Sequence, residues 1–246
     1  MSQHSQGEQH SVYKKGQNVV IEEGVQIGEN VVIGHHVIIY SGTIIGNDVV
    51  IQDHVIIGKK PVKAKNSILN VSEKSSPTKI GNEVIIGSSS IIYQDSVIEE
   101  EVYIADLATI REGVTVGKGT IVGRGVAIEN HCSIGQYCKL ETNSYITAYS
   151  VLKNHVFIAP CVVTTNDQFM GRTKERLKKI KGVTIENGGR VGANAVILPG
   201  IIIEEEGVVA AGSIVTRDVK KGELVMGVPA KKIRDVPLEQ RRSENN

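Results

Sequence analysis

The sequence predicts an all-β protein, a parallel β-helix, and three observations favour that fold class. From Ile80 to Ile158 every sixth residue is aliphatic, and the series ends on Thr164. The residue four positions after each of these is small or β-branched, as at Val84 and Ser90. The same six-residue register also recurs on both sides of this stretch. No helix has a period of six, so the repeat indicates short strands with a corner after each one.

A solenoid explains why the repeat is needed. One such strand cannot bury its apolar side alone, whereas three strands close a triangular coil and successive coils stack ~4.8 Å apart. The residue at every sixth position points inward, and the small residue four later fits the tight corner. Corners 117–119 and 123–125 are rich in glycine, which tolerates positive φ. We expect about nine to ten such coils.

The register also gives the domain organisation. It begins in residues 21–57 and resumes in residues 185–215. Residues 1–12 are rich in Ser, Gln and His and are predicted to form a disordered tail. A single β-helix domain is expected over 13–233, and residues 234–246 are expected to form a short C-terminal cap.

Two inserted loops interrupt the register, at about 59–77 and 166–182. The first contains five lysines if Lys74 is counted. It is either a solvated insertion or an anion-binding flap for a nucleotide diphosphate, because long loops in compact repeats are often functional. Counting strands in threes places both loops at the same corner, five coils or ~24 Å apart. Two loops on one edge can frame a groove.

Composition limits the location and the partners. The formal net charge of +1 indicates neither a nucleic acid nor a membrane partner. The chain has no Trp and two Phe, so the core must be aliphatic. No apolar leader and no segment of ~20 apolar residues is present, so a cytoplasmic, reducing location is expected. Cys132 and Cys138 fall on small corner positions and Cys161 lies one residue off; all three are predicted to be buried, inert thiols.

Two histidines of the first coils also follow the period. His36 and His54 are 18 residues apart and should occupy the same corner of adjacent coils. We expect them to stack on the outer surface, and a metal site is the alternative interpretation.

The most specific motifs lie near the C-terminus. They read GANAVILPG at 192–200, AAGSIVTRDV at 210–219 and GVPAK at 227–231. This string resembles the C-terminal signature of hexapeptide-repeat acyltransferases that use acetyl-coenzyme A. The resemblance implies a left-handed β-helix, a homotrimer and a pantetheine arm lying in a groove between subunits. The alternative is that these alanines and glycines only pack tight corners.

The same resemblance implies the residues of the coenzyme site. The small residues at the groove let the pantetheine arm approach the backbone, and the basic residues meet the phosphates. Carried over, these are Gly192, Ala193, Ala210, Ala211 and Gly212 for the arm, and Arg217, Lys231 and Lys232 for the phosphates.

A second pair of segments, LETNS at 140–144 and VFIAPCVVTTND at 156–167, resembles the N-acetyltransferases of nucleotide-linked 3-amino-sugars. Those enzymes have a Thr-Asn pair that enters a long loop and an Arg further along it. The resemblance implies substrate-binding roles for Thr165, Asn166, Asp167 and Arg172, with Glu141 and Asn143 on the preceding coil. This chain lacks the proline that precedes the loop arginine in that family.

The chemistry requires a proton acceptor, because an amine must lose its proton to attack a thioester. His131 and His155 stand at outward corners on adjacent faces and are the histidine candidates. Glu141, beside Asn143, is the carboxylate alternative. If the amine arrives neutral, no side-chain base is needed.

The sequence therefore predicts an acetyl-CoA-dependent N-acetyltransferase. The expected acceptor is the amine of a nucleotide-linked amino-sugar, such as a 3-amino-deoxyhexose on dTDP or UDP, in the synthesis of surface-polysaccharide precursors. No metal is expected. The alternatives are transfer to another small amine or hydroxyl, a γ-carbonic-anhydrase-like enzyme, and a non-catalytic scaffold. The carbonic anhydrase would need three histidines around zinc, and its pair of histidines five residues apart is absent.

Overall fold

Three parallel sheets enclose a triangular prism in the computed structural model, which describes residues 13–66 and 76–242. Consecutive strands belong to sheets A, B and C in turn, so each strand pairs with the strand 18 residues further on wherever no loop intervenes, as Ile85 does with Tyr103. The parallel β-helix is confirmed. The strands trace about 11 turns, slightly more than expected.

The strands are short, and most contain two residues. Sheet A contains Lys14–Lys15, Val32–Ile33, Val50–Ile51, Ile85–Ile86, Tyr103–Ile104, Ile121–Val122, Lys139–Leu140, Phe157–Ile158, Arg190–Val191, Val208–Val209, Glu223–Gly227 and Ala230–Asp235. Sheet B contains Val20–Ile21, Ile38–Ile39, Ile56–Lys59, Ile91–Tyr93, Thr109–Ile110, Ala127–Ile128, Tyr145–Ile146, Val163–Thr164, Val196–Ile197 and Ile214–Val215. Sheet C contains Gln26–Ile27, Ile44–Ile45, Lys79–Ile80, Val97–Ile98, Thr115–Val116, Ser133–Ile134, Val151–Leu152, Thr184–Ile185 and Ile202–Ile203.

The core fills the inside of the prism with aliphatic side chains. The second residue of nearly every two-residue strand points inward, and Ile39, Ile86 and Ile110 are fully buried. Burying each such side chain contributes ~1.5–3 kcal/mol relative to leaving it exposed. The prediction that the sixth-position residues form an aliphatic core is confirmed.

The small polar residues at the corners fit the tight turn and also form hydrogen bonds with the backbone. The buried Ser96 Oγ donates to the carbonyl of Arg111 at 2.9 Å, and Thr120 Oγ1 donates to the carbonyl of Gly135 at 2.8 Å. Each hydroxyl thereby satisfies a backbone acceptor of the next coil, which would otherwise be costly to bury.

Two cysteines substitute for these hydroxyls. Cys132 and Cys138 are buried at corners, and the thiol of Cys138 donates to the carbonyl of Lys153 at 3.0 Å. Burial raises the pKa of Cys132 to about 12, so its reactive thiolate is scarce at neutral pH. The prediction is wrong for Cys161, which is exposed with φ of 60°. It is the outward residue of its corner, one position before the buried Val162.

Three edges join the sheets of the prism. The A–B edge carries the corners between sheets A and B, the B–C edge those between B and C, and the C–A edge those between C and A. Both loops leave from sheet B, after Ile56–Lys59 and after Val163–Thr164, and these strands are five steps apart. The prediction that both loops share one corner is therefore confirmed, and that corner is the B–C edge.

The second loop, which we define as residues 165–182, contains the short helix Arg176–Lys179. The first loop is described up to residue 66 and from residue 76, and its Lys74 lies outside the described residues, as does the predicted tail at 1–12. Within the described part of the chain, no helix is long and apolar enough to cross a membrane.

Sheet A ends in a hairpin that the hexad pattern does not predict. The strands Glu223–Gly227 and Ala230–Asp235 pair in antiparallel fashion around a cis Val228–Pro229 bond. The second strand runs two residues past the expected domain end at 233, and a single 3₁₀ turn, Leu238–Gln240, follows it.

Candidate active site

The predicted site residues lie on all three edges of the prism. Glu141 and Asn143 follow a strand of sheet A and lie on the A–B edge. His131 and the second loop lie on the B–C edge, whereas His155 follows a strand of sheet C and lies on the C–A edge. Within one chain they therefore do not form a single constellation.

Asn143 and Asn166 lie on different edges, so the prediction that they share one edge is wrong. We expected Asn143 and Asn166 at one edge of neighbouring coils. The backbone N–H of Cys161 bonds to the carbonyl of Thr142, so Cys161 is the equivalent of Asn143 one coil further on. The strand Val163–Thr164 then separates this corner from Asn166. Asn143 and Asn166 thus flank opposite sides of sheet B.

Glu141 and the predicted coenzyme residues lie at equivalent corners of successive coils on the A–B edge. Glu141 N bonds to Ile158 O at 2.8 Å, Ala159 N to Val191 O at 2.9 Å, and Gly192 N to Val209 O at 2.8 Å. Three strand steps therefore separate Glu141 from Ala210, a distance of ~14 Å along the axis. We call this row of corners, from 141–143 through 159–161 and 192–194 to 210–212, the small-residue strip.

Two glycines of the strip are required for different structural reasons. A Cβ at Gly192 would lie 2.5 Å from the backbone N of Ala211, so the close approach of two coils requires glycine there. Gly212 has φ of 68° and open space where a Cβ would be. Ala211 and Gly212 are both exposed, so the last corner of the strip is accessible from outside.

A cavity of about 250 Å³ adjoins the end of the strip and gathers the three predicted phosphate ligands, Arg217, Lys231 and Lys232. Val225 also lines it, and its carbonyl accepts a hydrogen bond from Ala210 N at 2.9 Å. We call it the terminal cavity. The structure thus places the basic residues next to the small residues.

The three basic side chains of the terminal cavity are not equivalent. Lys232 Nζ lies 3.0 Å from the carboxylate of Glu223 and 2.9 Å from that of Asp235, and these hydrogen bonds raise its pKa. Arg217 and Lys231 make no ion pair with the residues that the structure describes. These two are consequently the cations available to an anion.

The B–C edge carries His131 directly below the second loop. Its ring stacks on that of Tyr149 with centroids 5.5 Å apart, and Tyr149 is the equivalent corner residue of the next coil. The amide of Asn166 donates to the carbonyl of Ala148 at 3.3 Å, which ties the start of the loop to the same coil. His131 therefore lies within two strand steps, ~10 Å, of the loop.

Internal contacts hold the second loop in shape. The carboxylate of Asp167 accepts hydrogen bonds from the N–H groups of Gly171 and Phe169, both at 2.9 Å, and pairs with Arg176 at 2.9 Å. The Gly171 bond is the main reason that the pKa of Asp167 is lowered. The predicted ligand Asp167 thus organises the loop.

The other two predicted loop ligands differ from each other. Thr165 Oγ1 donates to Ile197 O at 2.9 Å, so this hydroxyl also has a structural partner. Arg172, in contrast, is exposed and makes no ion pair within the described part of the chain. Among the predicted ligands of the second loop, the guanidinium of Arg172 is therefore the cation that is available to bind a ligand.

A charged cluster on the B–C edge is absent from the sequence predictions. Arg111 pairs with Glu112 through Nε at 2.9 Å, lies 3.6 Å from Glu129 and places its guanidinium 4.7 Å from the ring centre of Tyr93. Burial raises the pKa of Glu129. Tyr93, Arg111 and Glu129 are 18 residues apart, which is the signal that could have revealed them. They form part of the floor between the two loops.

His155 is set apart from both groups. It stacks on Tyr137 with ring centroids 5.4 Å apart on the C–A edge. Burial, followed by the nearby charge of Arg242, lowers its pKa. The lowered pKa favours the neutral imidazole, but His155 lies on a different edge from the strip and from the second loop.

The early histidines stack as predicted. The rings of His36 and His54 have centroids 4.9 Å apart and are nearly parallel. No group of three or more His, Cys, Asp or Glu side chains that could hold a metal ion occurs among residues 13–66 and 76–242.

Comparison with known families finds two matching segments. Residues 24–59 match the family described as bacterial transferase hexapeptide (six repeats), and residues 182–217 match the hexapeptide repeat of succinyl-transferase. A curated relative, 2,3,4,5-tetrahydropyridine-2,6-dicarboxylate N-acetyltransferase from Staphylococcus aureus, is 52% identical over 52 residues. This match covers 21% of the chain and 22% of the relative, about a fifth of each.

Solved structures with a similar fold include two transferases. Perosamine N-acetyltransferase from Caulobacter crescentus is 24% identical, with 61% of this chain and 58% of that chain covered and a TM-score of 0.42. UDP-N-acetylglucosamine acyltransferase from Francisella novicida is 14% identical, with 88% and 68% covered and a TM-score of 0.49.

Proposed function

Because the chain is built from hexapeptide repeats of the bacterial transferase type, we propose that it is an acetyltransferase with acetyl-coenzyme A as donor. The acceptor is the amine of a nucleotide-linked amino-sugar. The observation that carries the proposal is the continuity of the small-residue strip with the terminal cavity, through the hydrogen bond from Ala210 to Val225.

The strip and the cavity together fit the shape and the charge of the coenzyme. A thin, flexible arm needs a surface without protruding side chains, which the exposed corner at Ala211 and Gly212 offers. Phosphates need cations that are not already neutralised, and Arg217 and Lys231 meet that requirement. The curated relative from Staphylococcus aureus is an N-acetyltransferase by name, which also supports acetyl transfer to nitrogen.

The acceptor half is assigned to the B–C edge. The second loop supplies Arg172, and His131 stands below it within reach of a bound amine. In the reaction, the amine nitrogen attacks the carbonyl carbon of the thioester, the C–S bond breaks, and the thiolate leaves. His131 takes the proton that the amine loses, and backbone N–H groups of the strip stabilise the oxyanion.

In a homotrimer, the donor half of the active site on one chain meets the acceptor half on the next chain. Within one chain, sheet B separates the small-residue strip from His131. The first, outward residue of each sheet B strand is uncharged in the described chain, although Lys59 ends one of these strands, whereas the outward residues of sheet A include Lys14, Lys139 and Arg190. If sheet B faces a threefold axis, the A–B edge of each copy meets the B–C edge of the next, and the donor and acceptor halves come together.

The test is an acceptor screen. The protein is incubated with acetyl-coenzyme A and dTDP-, UDP- or GDP-linked amino-sugars, each beside the matched sugar with a hydroxyl in place of the amine. Thiol release and product mass are recorded. We expect an acetylated product from at least one of the amino-sugars and no acetylated product from the matched hydroxyl sugar. Acetylation of the hydroxyl sugars alone would favour an O-acetyltransferase, and no thiol release with any acceptor would contradict the proposal.

A further inference from the structure

A second cationic cavity lies on the B–C edge between the second loop and the next corner. It has a volume of about 400 Å³, in the range of ligand pockets. Three lysines line it, Lys178, Lys179 and Lys181, together with Gln168, Ile180, Pro199 and Gly200. No carboxylate lines this cavity within the described residues, so its charge is positive. We call it the loop cavity.

The second loop concentrates positive charge in a nearly neutral protein. Residues 165–182 contain six basic and two acidic residues, a net charge of +4, whereas the whole chain carries +1. The two acidic residues are already used, because Asp167 pairs with Arg176 and Glu175 lies 3.8 Å from Lys179. Lys178 and Lys181 make no ion pair in the part of the chain that the structure describes.

Backbone bonds fix the position of Lys181. Its N–H bonds to the carbonyl of Asn166 at 3.0 Å, and its carbonyl accepts the N–H of Gly200 at 3.1 Å. Its aliphatic stem runs beside Gly200, 3.3 Å from where a Cβ of that residue would lie. The base of the cavity is thus preorganised, which reduces the ordering cost of binding a ligand.

The loop cavity and the Arg217 side of the terminal cavity are neighbours along the B–C edge, whereas the Val225 side of the terminal cavity adjoins the strip. Val196 and Ile197 pair with Ile214 and Val215, so Pro199 of the first cavity lies one strand step from Arg217 of the second. The terminal cavity is lined by Asp218 and Glu223 as well as by its three basic residues, whereas the loop cavity has lysines alone as its charged residues. Two separate cavities with basic residues suit a reaction in which both substrates carry phosphates. The terminal cavity adjoins the strip of the donor, which leaves the loop cavity for the acceptor.

We propose that the loop cavity binds the diphosphate of the nucleotide-linked acceptor, with Lys178 and Lys181 as its principal ligands. This inference rests on the proposed function for the identity of the ligand. The ammonium groups donate charge-assisted hydrogen bonds to phosphoryl oxygens. Specificity for the sugar is then set further down the edge, toward His131.

The test begins with a binding measurement that needs no catalysis. Inorganic pyrophosphate and UDP, dTDP and GDP are titrated by calorimetry into the wild type and into the double variant Lys178→Gln, Lys181→Gln. The matched control is Lys220→Gln, Lys221→Gln, which removes two exposed lysines that pair with Glu204 and Glu205. We expect the Kd to rise about tenfold or more in the first variant and to stay within about twofold in the control. Equal binding by all three proteins, or no binding by the wild type, would overturn the inference.

Steady-state kinetics then distinguish whether the loop cavity binds the phosphates of the nucleotide-sugar or those of acetyl-coenzyme A. If the inference holds, the first variant raises KM for the nucleotide-sugar and leaves KM for acetyl-coenzyme A unchanged. A rise for acetyl-coenzyme A alone would overturn the assignment to the acceptor. If pyrophosphate binding is lost in the variant but no acetyl transfer occurs with any acceptor, the anion site stands and the proposed function fails.

Discussion

The carboxylate of Asp167 lies 2.9 Å from Nε of Arg176 and also accepts hydrogen bonds from two backbone N–H groups within the second loop. One side chain therefore holds together a loop that otherwise contains only four helical residues. The loop carries Arg172 and the lysines of the loop cavity, so its shape depends on this contact.

Replacing Asp167 with Ala should loosen the loop without unfolding the prism. We expect trypsin to cleave within residues 172–181 about tenfold faster, because opening of this local unit becomes easier. The melting temperature should stay within about 2 °C of the wild type. The control is Asp106→Ala, which removes a comparable carboxylate that accepts a hydrogen bond from Ser88 N–H on the A–B edge. A variant that melts early, or a loop that resists trypsin as well as the wild type does, would contradict this role.

The same contact predicts a pH dependence. Hydrogen bonding to Gly171 lowers the pKa of Asp167 below its ordinary value of 3.8, so the carboxylate stabilises the loop at all pH values above that. This contribution is lost as the pH falls through the lowered pKa. Hydrogen exchange of residues 166–182 should show constant protection above pH 3.8 and a progressive loss as the pH falls from 3.8 through the lowered pKa. Asp167→Asn should remove the transition, and a transition near neutral pH would contradict the assignment.

The three candidate bases should respond differently to substitution. His131→Asn should lower kcat by about 100-fold, the loss expected for a general base, and Asn tolerates the positive φ of that corner. His155→Asn should leave kcat within about twofold, because that residue lies on the C–A edge. If Glu141→Gln lowers kcat and His131→Asn does not, Glu141 is the base. If all three variants keep the activity of the wild type, no side-chain base operates and the coenzyme thiolate accepts the proton.

The arrangement of the trimer can be tested at one face. Val163 is 38% exposed on the outer face of sheet B, so Val163→Arg should place a charge in the subunit interface and produce monomers. Ser133→Arg places the same charge on the outer face of sheet C and should leave a trimer. Light scattering at micromolar concentration gives the mass of each. A wild-type monomer, or a trimer that tolerates Val163→Arg, would contradict the proposed assembly.

The core and the loop positions could be predicted because both follow from a strict period. Inward residues such as Ile86 repeat every six positions, and counting in threes was enough to place both loops on one edge. The same counting misplaced Asn166 relative to Asn143. It compared coil levels and did not allow for the strand Val163–Thr164, which carries the chain from one edge to the next.

The remaining differences come from side-chain direction and from segments without a repeat. Cys161 is one residue from a buried position, but that residue is the outward, positive-φ member of its corner. The pairing of Arg111 with Glu112 and Glu129 depends on the conformations of long side chains. The C-terminal hairpin has no hexad register, so the period that predicts the other strands gives no sign of it.

The most direct test of the central claim is calorimetric titration of acetyl-coenzyme A into Ala211→Phe. A phenyl group at this exposed corner should block the small-residue strip, so affinity for the coenzyme should fall at least about tenfold while the fold is retained. Arg124→Phe is the matched control, because Arg124 occupies the equivalent exposed corner of the A–B edge, four strand steps away. The account predicts loss of binding in Ala211→Phe alone. Unchanged affinity in Ala211→Phe would contradict it.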